Sequence, residues 1–123
     1  MFTEGSVYDP PRDDDGVRCL VMRTWPRGVA YERVDVWLKE LGPAADQLRG
    51  LEKGQMNWAT FAAAYIEGLR TRPPAREALT QLCELEKSSG KVTLLCHERA
   101  YPCHRFLLLD YLRRLFLPNA PKR

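Results

Sequence analysis

No stretch of the chain approaches the roughly 20 consecutive apolar residues that a membrane-crossing helix needs. Nor does the start, Met1-Phe2-Thr3-Glu4, show a basic segment followed by an apolar one that would resemble a secretion signal. No membrane partner is expected, and the expected location is the cytoplasm. No repeat, linker or low-complexity segment divides residues 1–123, so one domain is expected. Charge of one sign is not blocked together except in the tail Pro121-Lys122-Arg123, and the net charge of +3 neither requires nor excludes nucleic acid as a partner. The Cys-x2-4-Cys spacing common in zinc sites is missing. The four cysteines, Cys19, Cys83, Cys96 and Cys103, lie scattered through segments able to build an ordinary core, which makes reduced thiols the default.

What is present suits a globular protein, with 45% hydrophobic and 28% charged residues. The segment from Gly5 to Gly16 is rich in turn formers and reads as an extended arm and turn, with a short edge strand at Ser6 to Tyr8. Val17 to Trp25 is apolar on both alternating faces, the mark of a strand covered on both sides, and Pro26 and Gly28 end it. Val34, Trp37, Leu38 and Leu41 recur at helical spacing, which predicts an amphipathic helix over Tyr31 to Leu41 with Trp37 in the core. Further helices are expected at Ala44 to Leu51, after the cap Asn57 along Trp58, Phe61, Ala62, Tyr65 and Leu69, and at Ala75 to Lys87. Val92 to Cys96 is the clearest strand. His104 to Leu117 reads as a final helix burying Leu108, Leu112, Leu115 and Phe116.

Strands joined by several helices are most simply parallel, and a two-stranded sheet is too small to stand alone, so a further strand is required. The expected fold is α/β, a small mainly parallel sheet flanked by helices. In such sheets ligands sit beyond the carboxyl ends of the strands, which would bring the segment after Trp25 next to the segment after Leu95.

Those two segments hold the chemistry. Between positions 96 and 105 lie both histidines, His97 and His104, two of the four cysteines, Cys96 and Cys103, and two arginines, Arg99 and Arg105. A helix start favours negative charge and lowers a thiol pKa, which marks Cys96 or Cys103 as a nucleophile and His97 or His104 as its proton partner. Two other readings stand beside that one. The cysteines serve as small core residues, or the Cys-x6-Cys loop wraps a zinc ion. No cofactor is expected, zinc being the lesser alternative.

Arg23 and Arg27, with Trp25 between them, would grip a phosphate or carboxylate bidentately, helped by Lys39, Arg99 and Arg105. The plain alternative is internal pairing of Arg23 with Asp35 or Glu40 and of Arg27 with Glu98. Asp35 and Lys39 would likewise pair on one helix face, and Asp13-Asp14-Asp15-Gly16 reads as a solvated turn.

Val7-Tyr8-Asp9-Pro10, Asp15-Gly16, Arg18, Leu20-Val21, Arg23, Trp25-Pro26-Arg27-Gly28, Asp35, Trp37 and Lys39-Glu40-Leu41 resemble the signature of the YeaO-like branch of the bacterial domain-of-unknown-function family 488 (DUF488). Thr93-Leu94-Leu95-Cys96 with Cys103-His104-Arg105 is similar to the end of that wider family. The resemblance implies a compact α/β fold, a bacterial cytoplasm and a pocket shared by the two motif regions.

Three functions follow as expectations. The first is an enzyme acting on a small anionic substrate, with arginines holding the anion and a thiol and histidine at the reacting end. The second is a non-catalytic module binding a nucleotide, nucleic acid or other anion, with Trp25 or Tyr101 stacking on a base. The third is a thiol-ligated metal or redox sensor.

Overall fold

The computed structural model describes residues 1–97 and 103–116, except for the side chain of Phe116. Four strands run in chain order as β1 (Phe2–Ser6), β2 (Val17–Leu20), β3 (Val36–Trp37) and β4 (Val92–Cys96). They pair in the order β1-β4-β2-β3, and every pair is parallel. Four α-helices accompany them: α1 (Ala45–Glu52), α2 (Trp58–Thr71), α3 (Pro73–Ser89) and α4 (His104–Phe116). The fold is therefore α/β, and the pairing of β2 with β4 is the parallel neighbourhood the sequence implied.

Strand parity explains the two layers. Val17 and Cys19 on β2 stand level with Val92 and Leu94 on β4, and Val21 and Cys96 follow them at the same parity. This side meets Tyr65 and Leu69 of α2, Leu79 and Leu82 of α3, and Leu108 and Leu112 of α4 in the main core. The opposite side carries Leu20 and Leu95, which pack with Val7, Met22, Trp25, Val29 and Val34. Among the described residues α-helices thus cover one face and connecting segments the other, and β4 is buried at all five positions.

Local sequence sets the helix ends. The Asn57 side chain accepts from the Thr60 backbone N–H at 2.8 Å and caps α2 as expected. Arg72 alone separates α2 from α3, which starts on Pro73, a residue suited to the first helical position because its missing N–H would have no partner there. Gly90, at φ 84°, closes α3 in the left-handed conformation.

Several expectations are corrected. Tyr31 to Leu41 is not an α-helix but a 3-10 turn at Tyr31–Arg33, the edge strand β3, and a second 3-10 turn at Lys39–Leu41. The reason is pairing with β2: the Asp35 N–H donates to Arg18 O at 2.8 Å, and the Leu38 N–H to Leu20 O at 3.0 Å. The apolar positions that fit a helix also fit a strand, since Val36 and Leu38, two apart, both pack on the main core. Trp37 is consequently 40% exposed instead of buried, its indole N–H donating to Met22 O at 2.7 Å.

The first strand lies at Phe2–Ser6, ahead of the expected Ser6 to Tyr8, with the Val7 N–H still donating to Cys96 O at 2.9 Å. β2 ends at Leu20, although the Val21 N–H still donates to Leu95 O at 3.0 Å, so Arg23 lies in the turn beyond the strand. On α4, Leu115 is 52% exposed, not buried. No helix among the described residues is long and apolar enough to cross a membrane.

Candidate functional site

The carboxyl ends of β2 and β4 and the start of α4 meet beside α2. Cys96 ends β4 with its side chain on the helical side, and Cys103 immediately precedes α4, of which His104 is the first residue. Cys96 is 1%, Cys103 4% and His104 7% exposed. The Cys103 sulfur accepts from the Arg105 backbone N–H, the position from which a helix-capping side chain takes its bond. It also lies within 4.8 Å of the Cys96 sulfur.

His104 is oriented by the backbone. Its Nε2 lies 2.6 Å from Val21 O. A carbonyl only accepts, so Nε2 carries the proton and Nδ1 offers a lone pair. Nδ1 stands 3.9 Å from the Cys96 sulfur and 3.8 Å from the Cys103 sulfur. The two sulfurs and one ring nitrogen all lie within 4.8 Å of one another and form a group that could hold a metal ion. The edges of a tetrahedral zinc site, given its usual bond lengths, are about 3.5–3.8 Å, so the two nitrogen–sulfur separations are already near those of one site. The carbonyl behind the imidazole is the outer partner that metal-binding histidines normally have.

Tyr65 of α2 supports this arrangement and was not singled out by the sequence, where it appeared only as one residue of an apolar stripe. Its ring packs edge-on against His104, 5.6 Å between centroids, and its hydroxyl donates to Leu41 O at 2.6 Å. Burial pushes the Tyr65 phenol well up, the nearby Cys103 and Cys96 add to the rise, and the Arg23 charge opposes it. The Arg23 charge and the two thiols therefore both act on one buried phenol. The hydrogen bond with Cys96 and then burial push the Cys103 thiol strongly up, against the lowering effects of the Arg105 N–H and charge. Cys103 is thus a protonated thiol at neutral pH in the absence of a bound cation.

The other expected site residues sit as follows. Arg23 spends its guanidinium internally, with Nε donating to Pro43 O and Nη2 to Gly42 O, both at 3.0 Å, and Nη1 lying 3.5 Å from Glu40. The Glu40 partner is one that internal pairing foresaw. Arg27 is exposed, and its carbonyl accepts the Tyr8 hydroxyl at 2.9 Å. Trp25 donates its indole N–H to Val29 O at 2.9 Å and stacks at a tilt on Tyr31. Lys39 is exposed just past β3, while Asp35 accepts the Arg18 N–H at 2.8 Å in place of a bond to Lys39. His97 is exposed, with Nδ1 3.8 Å from the Cys96 sulfur. Arg105 is buried, 3.6 Å from Glu4 and over the Phe106 ring. Arg99, Glu98 and Tyr101 lie outside the described residues.

A family model described as DUF488-N3a, the active DUF488-N3 subclade, matches residues 4–115. The chain is similar to the uncharacterised protein YeaO of Escherichia coli K12, 30% identical over 111 residues that span 89% of this chain and 94% of YeaO. It is also similar to the uncharacterised proteins Mb3100c of Mycobacterium bovis and Rv3073c of Mycobacterium tuberculosis H37Rv. Each is 31% identical over 87 residues, covering 69% of this chain and 68% of the relative. No solved structure matches the chain.

Proposed function

The chain belongs to the DUF488 family, and from that premise we propose that it is an enzyme acting on a small anionic substrate, with a zinc ion held by the sulfurs of Cys96 and Cys103 and by Nδ1 of His104. The observation that carries this reading is the fixed imidazole: Nε2 is committed to Val21 O at 2.6 Å, so Nδ1 faces both sulfurs. Three protein ligands leave a fourth position for water or substrate, the arrangement of catalytic zinc sites, and Cys2His is a known ligand set for them. The group also lies at the carboxyl edge of a parallel sheet, where ligands of such folds bind. The description of the matched subclade as active agrees with an enzyme.

The neighbouring Cys96 thiol and burial argue against Cys103 as a free thiolate nucleophile. Without a cation, the Cys96 hydrogen bond and the surrounding protein keep Cys103 protonated. A metal ion reverses that preference by displacing the protons. Two thiolates cancel the charge of a divalent ion, so recognition of an anion falls to protein cations. Arg27 and Lys39, exposed after β2 and β3, are suited to it, while Arg23 is held by the carbonyls of Pro43 and Gly42. A reducing cytoplasm would keep all four cysteines as the free thiols they are here.

The test is competitive zinc titration of the purified chain, followed by turnover of small phosphate and carboxylate esters. Tight uptake by the parent, lost in Cys96→Ser and in His104→Ala, with turnover abolished by a chelator and restored by zinc, is the expected result. Zinc bound no more tightly by the parent than by a Cys96→Ser/Cys103→Ser double variant would refute the metal. Tight zinc without turnover of any ester, alongside anion binding lost on Arg27→Ala, would replace the enzyme by a binding module.

A further inference from the structure

We propose that Cys96 and Cys103 form a reversible disulfide that empties the Cys96–Cys103–His104 site, so that the redox state of this one pair switches the site off. The consequence for metal rests on the zinc reading above; the dithiol chemistry does not. Cys96 lies at the end of β4 and Cys103 at the start of α4. Their sulfurs lie within 4.8 Å of each other, and the Cys96 thiol acts directly on that of Cys103. A disulfide requires the sulfurs to close to about 2.05 Å.

The remaining cysteines have no such arrangement. Cys19 is buried on β2, and Cys83 lies half-buried on α3.

With a small peroxide as oxidant, one sulfur attacks a peroxide oxygen. The O–O bond breaks, giving a sulfenic acid and hydroxide. The second sulfur then attacks the first, forming the S–S bond and breaking S–OH, and the second hydroxide leaves. Two protons from the thiols, or from solvent when zinc holds thiolates, convert both hydroxides to water. Two sulfurs are oxidised by one electron each and one peroxide is reduced. A disulfide sulfur is a poor ligand compared with a thiolate, so only His104 remains to hold an ion.

The geometry offers a reason for selectivity. Hydrogen peroxide is small enough to enter a nearly closed site, and the partner sulfur stands ready to capture the sulfenic acid before further oxidation. Cys83 has no such partner among the described residues and would climb the oxidation ladder or cross-link between chains.

The experiment treats metal-free and zinc-loaded full-length protein with stoichiometric hydrogen peroxide, maps disulfides by differential alkylation and peptide mass, and follows zinc with a chromogenic chelator. The expected result is an intramolecular Cys96–Cys103 disulfide in the metal-free sample and parallel release of zinc from the loaded one. Both should be reversed by dithiothreitol and be unchanged in Cys83→Ser. Oxidation confined to Cys83, or sulfinic acid at Cys96 or Cys103 without a disulfide, would overturn the proposal. A disulfide in the metal-free sample of a protein that never takes up zinc would retain the dithiol switch while removing the metal reading. A disulfide that leaves zinc bound would overturn the proposed emptying of the site.

Discussion

Gly42→Ala is the substitution that most sharply joins stability to the site. Gly42 follows the second 3-10 turn with φ −75° and ψ 154°, a conformation alanine accepts without strain. On backbone grounds alone the change should therefore stabilise the protein, by about 0.4–1 kcal/mol through the unfolded chain. Space decides otherwise. An added Cβ would collide with the Arg23 backbone nitrogen and stand 2.9 Å from the Met22 carbonyl carbon and 3.0 Å from Arg23 Cα. These are backbone atoms that cannot rotate away, so the overpacking cost belongs in the upper part of the usual range of about 1–3 kcal/mol.

The clash exceeds the gain, and a net loss of about 1–2 kcal/mol is expected, lowering the urea midpoint by roughly 1 M for a typical slope. The displaced segment includes the residues directly after Val21, whose carbonyl holds His104, so zinc affinity should fall as well, by about the 10–100-fold that loss of an outer partner brings. Gly54→Ala is the control. Gly54 has φ 73° with nothing within 4 Å of an added Cβ, so it should lose stability through backbone strain and leave zinc affinity unchanged. A Gly42→Ala protein as stable as the parent would refute the close approach of Leu41–Gly42 to Met22–Arg23.

Three further outcomes follow from the same contacts. Tyr65→Phe removes the donor to Leu41 O and leaves a buried carbonyl without it, which should cost about 1–3 kcal/mol in chemical denaturation. Asn57→Ala removes the α2 cap and should cost about 0.5–2 kcal/mol, read the same way, with zinc binding intact. Asp15 is a pH-dependent support: burial alone would raise its carboxyl, but the Arg12 backbone N–H and the Arg18 hydrogen bond and charge together hold it below its ordinary value of 3.8. A lowered folded-state pKa contributes stability that is fully present above the unfolded value and disappears as pH falls through the folded one. The stability difference between the parent and Asp15→Asn should therefore be constant near neutral pH and shrink below about pH 4. A difference that grows on acidification would contradict the Asp15–Arg18 pair, whose atoms are 2.6 Å apart.

Where the chain announced its structure, the signal was local. β4 was legible because Val92, Leu94, Leu95 and Cys96 make a short apolar run between Gly90 and His97, and α2 because Asn57 precedes a clean apolar stripe. β3 was not, because Val34, Trp37, Leu38 and Leu41 satisfy a helical period while Val36 and Leu38 satisfy a strand; only the backbone of β2, distant in sequence, selects between them. The site was partly legible for the same reason. Cys96, Cys103 and His104 could be named from their concentration near one strand end, whereas the Val21 carbonyl and Tyr65 carry no chemical mark and act only through tertiary placement. Arg23 looked available to a ligand because the carbonyls of Gly42 and Pro43, which take up its guanidinium, cannot be read as acceptors from a sequence.

The central claim is that two sulfurs and one imidazole nitrogen converge on a single ion. X-ray absorption at the zinc edge of the loaded protein tests it most directly. Two sulfurs at about 2.3 Å and one nitrogen at about 2.0–2.1 Å, completed by one light atom, are expected. In His104→Ala, loaded at excess zinc, the imidazole signature should be lost. A first shell of oxygen and nitrogen without sulfur, or one unchanged in a Cys96→Ser/Cys103→Ser variant, would contradict the account.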